Sequence, residues 1–200
     1  MTSQRRRAPA DSEMRGKLIG AAEAIIREQG HGALTARTLA DRLGLSRQIV
    51  HYYFKSMDEL LTQVVLNCHE QSKQALIDLA ASEDPLRAIW SLSNQPDFAT
   101  LALELAVLAA RRPAVREVVR ACAEEQRALQ TQILVDHLKS RGIAPLIDPE
   151  LAVFVLTAMS QTMVQEDAVG ITFAHAKVLA TVDEALGEFA ATGGSWKFRK

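Results

Sequence analysis

Two short helical segments separated by a glycine constrain the fold of this chain more than any other feature, and they occupy residues 35–54. Thr35 is a residue type that caps a helix, and the apolar residues that follow it share one helical face. Gly44 supplies the left-handed backbone that ends a helix, and Ser46 is placed to cap the next one. The pattern predicts two capped helices joined by a tight turn.

The second of these segments carries more hydrogen-bonding side chains than a structural helix of its length needs. Only Ile49 and Val50 suit a protein core. The remaining side chains are potential donors to another molecule: Arg47, Gln48, His51, Tyr52 and Tyr53. A donor-rich helix behind a glycine turn is the layout of a DNA-reading helix-turn-helix.

The stretch from about Met14 to Leu61 resembles the N-terminal domain of the TetR family of bacterial transcriptional regulators. The matching elements, in order, are Gly30, Thr35, Leu39-Ala40, Gly44-Leu45-Ser46, Tyr52-Tyr53-Phe54 and Glu59-Leu60. This many elements in the right order are more specific than a helix-turn-helix pattern alone.

The chain departs from the family pattern at three positions. The family usually has tyrosine at the position of His51 and lysine at that of Met57, and both commonly contact phosphates there. Ile49 stands where the family often has a small or hydroxyl residue. Lys55 or the N-terminal arginines would have to replace the missing lysine.

The predicted DNA-binding residues are Thr35, Arg37, Ser46, Arg47, Gln48, His51, Tyr52, Tyr53 and Lys55. Arg47 suits guanine O6 and N7, and Gln48 suits adenine. The resemblance implies that Arg37 also reaches the groove. We expect Thr35, His51, Tyr52, Tyr53 and Lys55 to contact phosphates, which fixes register without reading sequence.

The charge distribution supports a nucleic-acid partner although the net charge is only −1. Residues 1–55 carry ten Lys or Arg against five Asp or Glu, a charge of +5, and the remaining 145 residues carry −6. A basic N-terminal part fits docking on phosphates. Residues 1–10, with Arg5, Arg6 and Arg7, are predicted to be a flexible basic arm that is either a solvated tail or a DNA contact.

The rest of the chain is predicted to be helical because it lacks sustained period-two alternation. We expect helices near 11–29, 56–80, 84–93, 97–110, 113–140, 149–167 and 172–191, with prolines and glycines at the breaks. The predicted fold is all-α with about nine helices. The predicted domains are a helix-turn-helix domain (11–56), a helical ligand-binding and dimerisation domain (57–192) and a tail (193–200).

The last two helices carry wide apolar stripes that suit either an ordinary core or a second subunit. The resemblance implies a homodimer. The residues predicted for its interface are Leu151, Phe154, Val155, Ala158, Thr162, His175, Val178, Leu179, Val182 and Leu186.

The resemblance also implies a ligand pocket in the C-terminal domain, and residue types indicate a small apolar organic effector. The predicted lining residues are Trp90, Phe98, Leu101, Glu104, Leu105, Met159 and Met163, with Glu104 or Gln161 as polar anchors. Plain core packing is the alternative for each of them.

Several classes of protein are disfavoured by the sequence. No apolar run approaches the roughly 20 residues that span a bilayer, and residues 1–10 lack a secretory signal, so we expect a cytoplasmic protein without a membrane partner. Cys68 and Cys122 suit packed thiols rather than a disulfide framework. Cys68 and His69 are adjacent, which is the wrong helical spacing for a dyad, and they are predicted to lie on a solvated helix surface.

No catalytic motif, metal site or cofactor is predicted. The function that we predict is a ligand-responsive transcriptional regulator, in the form of a repressor that a small effector releases from a palindromic, double-stranded operator. The alternative is a helical protein-binding adaptor that does not read DNA.

Overall fold

The computed structural model of the chain describes residues 9–80, 84–145 and 147–192. Across these ranges the chain forms nine α-helices and one short 3-10 helix, without a strand. The helices are α1 (Pro9–Gln29), α2 (Ala36–Leu43), α3 (Arg47–Tyr53), α4 (Met57–Ala80), α5 (Pro85–Ser93), α6 (Pro96–Arg111), α7 (Pro113–Ser140), α8 (Pro149–Asp167) and α9 (His175–Thr192). The all-α prediction is therefore confirmed.

Local capping chemistry explains why the predicted helix bounds lie close to the observed ones. Pro85, Pro96 and Pro113 are the first residues of α5, α6 and α7, where a missing backbone N–H costs nothing. Ser56 precedes α4, and its Oγ accepts the backbone N–H of Glu59 at 3.1 Å. Such caps depend on residues next to each other in the chain, so the sequence reveals them.

The structure departs from the prediction at the start of the chain. Pro9 and Ala10, predicted as part of the arm, are the first residues of α1. Residues 1–8 with the three arginines, and the predicted tail at 193–200, lie outside the described residues.

The chain divides into two compact units whose boundary differs from the expected one at residue 56. The N-terminal unit comprises Met1–Cys68 together with Leu103–Arg120, and the C-terminal unit comprises His69–Ala102 together with Ala121–Lys200. Helix α4 continues without a break through Cys68, and four of its early side chains are buried: Leu60, Leu61, Val64 and Val65. An ion pair between Asp58 and Arg112 ties α4 to the start of α7 within the N-terminal unit.

The N-terminal unit is built on the apolar stripe of α1. Leu18, Ala22, Ile25 and Ile26 are each at most 2% exposed, as the 3.6-residue period predicts. The other buried apolar residues of the helix-turn-helix are Leu34, Leu39, Ala40, Val50 and Phe54.

The C-terminal unit has two apolar clusters. The larger one is formed by α5, α7, α8 and α9, and it contains Leu86, Trp90, Leu134, Leu138, Val153, Leu156, Met163, Val182 and Leu186. The smaller one contains Leu76, Ile89 and Leu92. No helix in the described ranges is both long and apolar enough to cross a membrane.

Candidate nucleic-acid interface

Helix α2 begins with a reciprocal pair of hydrogen bonds. The Thr35 Oγ1 accepts the backbone N–H of Thr38 at 3.0 Å, and the Thr38 Oγ1 accepts that of Thr35 at 2.9 Å. This capping box satisfies two backbone donors that a helix start leaves without a partner. The predicted cap at Thr35 is confirmed.

The turn between α2 and α3 has the backbone that the glycine predicted. Gly44 lies in the left-handed region with φ +64°, and the backbone N–H of Leu45 reaches back to the Ala40 carbonyl oxygen at 2.9 Å. This is the bond that closes a helix with a left-handed final residue. It aims the start of α3 away from the axis of α2.

Helix α3 is held by one buried side chain and presents the rest to solvent. Val50 is 1% exposed, and Ile49 is half-buried. The predicted cap at Ser46 is only partly right, because Ser46 occupies the cap position but its hydroxyl makes no capping hydrogen bond. The Ser46 hydroxyl is exposed at the helix start, where it can donate to an acceptor on another molecule.

The donors on α3 are exposed as a group: Arg47, Gln48, His51 and Tyr52. Within the described ranges, no hydrogen bond or ion pair engages the side chains of Arg47 and Gln48. Arg37 on α2 has a 77% exposed side chain, and its Nε lies 3.7 Å from an Asp41 carboxylate oxygen one turn away. Exposed ion pairs of this kind are weak, so the guanidinium stays available.

The three aromatic residues at the end of α3, Tyr52, Tyr53 and Phe54, have different surroundings. Tyr52 is 73% exposed and packs edge-on against Tyr53 with ring centroids 5.0 Å apart. Tyr53 is half-buried, and its hydroxyl donates to Asp11 Oδ1 at 3.1 Å, so this hydroxyl is engaged inside the protein rather than free for a phosphate. Phe54 is buried, with the Arg15 guanidinium 4.9 Å from its ring centre. Lys55 is exposed.

Comparisons with known proteins agree with this geometry. A family model described as bacterial regulatory proteins of the tetR family matches residues 18–64. The HTH-type transcriptional regulator CymR of Pseudomonas putida is 28% identical over 151 residues, which are 71% of this chain and 74% of that protein.

Two solved structures share the fold over most of the chain. A protein from Saccharomonospora viridis, assigned as a transcriptional regulator and solved in complex with choline, is 16% identical with a TM-score of 0.72, covering 90% of this chain and 96% of that one. A TetR transcription regulator from Haloarcula marismortui is 22% identical with a TM-score of 0.69, covering 90% of this chain and 98% of that one.

A donor-rich helix exposed behind a capped helix and a glycine turn defines a DNA-binding protein of the helix-turn-helix class. The matched family model and the similarity to CymR are specific within that class. Residues 18–64 therefore match the DNA-binding part of bacterial regulatory proteins of the tetR family, and the chain is similar to transcriptional regulators of this kind.

The C-terminal unit contains an open cavity of about 1030 Å³. Of the predicted lining residues, Trp90 and Met163 are on its wall. Sequence reasoning missed Arg87, Asp167 and Asp183, which also line it. The Arg87 Nη1 lies 2.6 Å from the Asp183 Oδ1, and 96 residues separate the two, so no local pattern could reveal the pair.

The other predicted lining residues lie elsewhere. Glu104 and Leu105 belong to the N-terminal unit, where Glu104 is bound to His31, so neither lines this cavity. Leu101 is buried and Met159 packs against the larger apolar cluster, whereas the alternative anchor Gln161 is exposed. The side chain of Phe98 lies outside what the structure describes.

The predicted dimer residues divide by exposure. Several are open to solvent, either fully or in part: Leu151, Phe154, Val155, Ala158, Thr162 and Leu179. Val182 and Leu186 are wrong as interface residues, because both are 3% exposed within their own chain. Val178 packs, half-buried, against the same cluster.

His175 is also engaged inside its own chain rather than exposed for a partner. Its Nε2 lies 2.7 Å from Glu166 Oε2, and its Nδ1 lies 3.0 Å from Asp167 Oδ1. The pKa of His175 is raised, mainly by the hydrogen bond to Glu166, and Asp167 raises it further. This cluster joins the end of α8 to the start of α9.

The two cysteines are free and do not have the character of nucleophiles. Burial raises the pKa of Cys68 to about 12, and it raises the pKa of Cys122 as well. Both therefore stay protonated at neutral pH. The expected solvated surface at Cys68 and His69 is wrong, since both side chains are 8% exposed. The described residues contain no cluster of potential ligands that could hold a metal ion.

Proposed function

We propose that the protein binds a palindromic operator as a homodimer and that a small effector in the C-terminal unit releases it, so that it acts as a repressor in the cytoplasm. The observation that carries the proposal is the exposed surface of α3, on which Arg47 and Gln48 are held in place without side-chain partners inside the described chain. An arginine that is exposed and unpaired keeps its five donors for another molecule.

Sequence reading is assigned to the start of α3. The Arg47 guanidinium matches the two acceptors of guanine in the major groove, and the Gln48 amide matches adenine. Arg37 on α2 supplies a further groove contact. Thr35, Ser46, His51, Tyr52 and Lys55 are exposed donors that suit the phosphates flanking the groove.

An operator with two-fold symmetry requires two DNA-reading heads, the helix-turn-helix domains of the two subunits. They must lie at a fixed separation, about 34 Å for successive major grooves. The exposed apolar side chains of α8 support a dimer: Leu151 is 53% exposed, Phe154 50% and Val155 40%. Large apolar side chains grouped at this spacing on one exposed helix face suit an interface. We therefore place the second subunit on α8, with Leu179 of α9 as a further contact.

The effector site is the cavity in the C-terminal unit. Trp90, Met163 and Leu179 give its wall apolar surface, whereas Arg87, Asp167 and Asp183 add charged groups. This combination suits a small organic molecule with an apolar body and one polar group, rather than a purely apolar one. The Saccharomonospora viridis protein was solved in complex with choline, and this supports the proposal of a small organic effector.

Release follows if the effector favours an arrangement in which the two heads no longer match the operator. The effector shifts the equilibrium only if it binds that arrangement more tightly than the DNA-bound one. Helix α4 is the element that we propose moves, because it runs unbroken from Met57 near the DNA-reading head to Ala80.

Selection of bound duplexes from a random pool tests the proposal. A symmetric consensus with two half-sites is expected from the native protein, and Arg47→Ala should lose preference at one base pair of each half-site. Enrichment of no duplex at moderate salt would contradict DNA reading and would favour a helical adaptor. Operator affinity that stays unchanged at saturating effector would contradict release.

A further inference from the structure

The chain turns from α3 into an acidic helix start. Lys55 is exposed just after α3, and α4 then begins with Met57, Asp58 and Glu59. Asp58 follows Lys55 by three residues, less than one turn of helix. Because we assign Lys55 to a DNA phosphate, the Asp58 carboxylate brings a negative charge close to the same DNA strand, which repels it unless a cation compensates. The residues at positions 56–59 supply no such cation.

A distant arginine supplies this cation. Arg112 Nη1 donates to Asp58 Oδ1, although 54 residues separate the two in the chain. Both residues lie in the N-terminal unit, and their side chains are 43% and 41% exposed. An ion pair that is open to solvent is weak, because water screens the two charges and competes for them. The pair therefore stands at the surface near the turn that carries Lys55, where a second anion can reach the guanidinium.

The corner between α6 and α7 is held without the side chain of Arg112. The Arg116 guanidinium donates to the carbonyl oxygens of Ala109 and Ala110 at 3.1 and 2.7 Å, which are among the last of α6. The backbone N–H of Arg116 donates to the Arg112 carbonyl oxygen at 2.9 Å, and Val115 is fully buried in the first turn of α7. The structure of the corner does not require the Arg112 guanidinium, which is free to serve another purpose.

Most of the hydrogen-bonding capacity of Arg112 is left for another molecule. A guanidinium has five N–H donors, and the contact with Asp58 engages only Nη1. Among the described residues, Nε and Nη2 of Arg112 have no partner. The planar guanidinium presents different edges, so one edge can stay on a carboxylate while another binds a phosphate oxygen.

We propose that Arg112 binds a backbone phosphate of the DNA beside the one assigned to Lys55, which extends the DNA-binding surface from the helix-turn-helix to the α6–α7 corner. This inference rests on the proposed function, because it adds a contact to the same operator. In the free protein, Asp58 holds the guanidinium over the start of α4. The contact carries no base preference, since every sequence presents the same phosphates.

The salt dependence of duplex binding tests this contact in a protein without the ion pair. Asp58→Asn removes the carboxylate, so a further Arg112→Ala substitution removes a DNA contact and not an ion pair. In that background Arg112→Ala should reduce the salt slope of binding by about one unit. The resulting loss of affinity should be about threefold larger at about 50 mM than at about 200 mM salt. It should be equal on the consensus duplex and on an unrelated one.

Neutralisation of Asp58 is the other role that Arg112 could have. If this were its only role, Arg112→Ala would weaken binding in the native protein but would leave affinity and salt slope unchanged in the Asp58→Asn background. That result would overturn the proposal. A change in base preference caused by Arg112→Ala would contradict it as well, because a phosphate contact does not read sequence.

A second ion pair of the same unit provides the matched control. Arg42 binds Glu28 through two hydrogen bonds of 2.7 Å, and the pair is partly exposed. Arg42→Ala in a Glu28→Gln background removes the same charge from the unit as the test variant does, and it should leave the salt slope unchanged. A drop in slope equal to that of the Arg112 variant would show that the total charge of the unit causes the effect, and the assigned contact would be wrong.

Arg112→Lys separates charge from a structural effect. Lysine keeps the cation at the corner and binds phosphate as a point charge, so Arg112→Lys in the Asp58→Asn background should retain most of the salt slope. A loss as large as that of Arg112→Ala would contradict a phosphate contact. If the selection enriches no duplex, the proposed function itself is wrong. If a symmetric consensus is obtained and Arg112→Ala does not change the slope, only the contact at the α6–α7 corner is wrong.

Discussion

Removal of the Arg47 side chain is the most direct test of how this protein reads DNA. Arg47 is exposed and has no side-chain partner among the described residues, so Arg47→Ala should change the free energy of unfolding by no more than about 0.5 kcal/mol. A bidentate contact to guanine contributes about 1–3 kcal/mol of discrimination. The expected loss of operator affinity is therefore about 5- to 150-fold.

The assay is duplex binding, with the consensus site, single-base variants of each half-site and an unrelated duplex measured at one salt concentration. Arg47→Ala should weaken the consensus site and equalise the four bases at one position. Arg111→Ala is the control, because Arg111 is an exposed arginine of the same unit outside α3. Uniform weakening of all duplexes by Arg47→Ala, matched by Arg111→Ala, would show that Arg47 supplies charge and not base readout.

Three further predictions concern a phosphate contact, the turn and the α8–α9 connection. Lys55→Ala should weaken all duplexes alike and reduce the salt slope of binding by about one unit, measured by titration at several salt concentrations. Gly44→Ala should lower the free energy of unfolding by about 1–2 kcal/mol, because φ is +64° at this position even though an added Cβ would meet nothing within 4 Å. The control Gly16→Ala, inside α1, should raise the free energy of unfolding by about 0.5–1 kcal/mol. Equal effects of the two substitutions in denaturant titrations would contradict the backbone argument. The stabilisation from His175 should be complete below its ordinary pKa and disappear as pH rises through its raised pKa, because it depends on the protonated ring beside Glu166. The free energy of unfolding of the native protein and of His175→Ala, measured from about pH 5 to pH 9, tests this pH dependence. A stability difference between the two proteins that grows with pH would contradict it.

Local chemistry explains which features the sequence predicted well. The cap at Thr35, the left-handed Gly44 and the proline that starts α5 act within one or two helical turns, so their partners are adjacent in the chain. The apolar period of α1 likewise reports which side is buried, as Leu18 and Ile25 show.

Features that depend on partners far apart in the chain were not predictable in this way. The sequence predicts Glu104 as a polar anchor of a ligand pocket in the C-terminal domain, but the structure places it beside His31 in the N-terminal unit. Val182 and Leu186 lie on a stripe that looks the same whether it faces a core or a second subunit.

The helices, their ends and the donor-rich surface of α3 follow from the amino-acid sequence alone, because hydrogen bonds and periodicity within a helix depend on neighbouring residues. Long-range packing was needed to show that residues 103–120 join the DNA-reading unit and that Arg87 meets Asp183 on the cavity wall. These contacts depend on how helices pack, and packing is fixed by the combined shape of many side chains rather than by any local pattern.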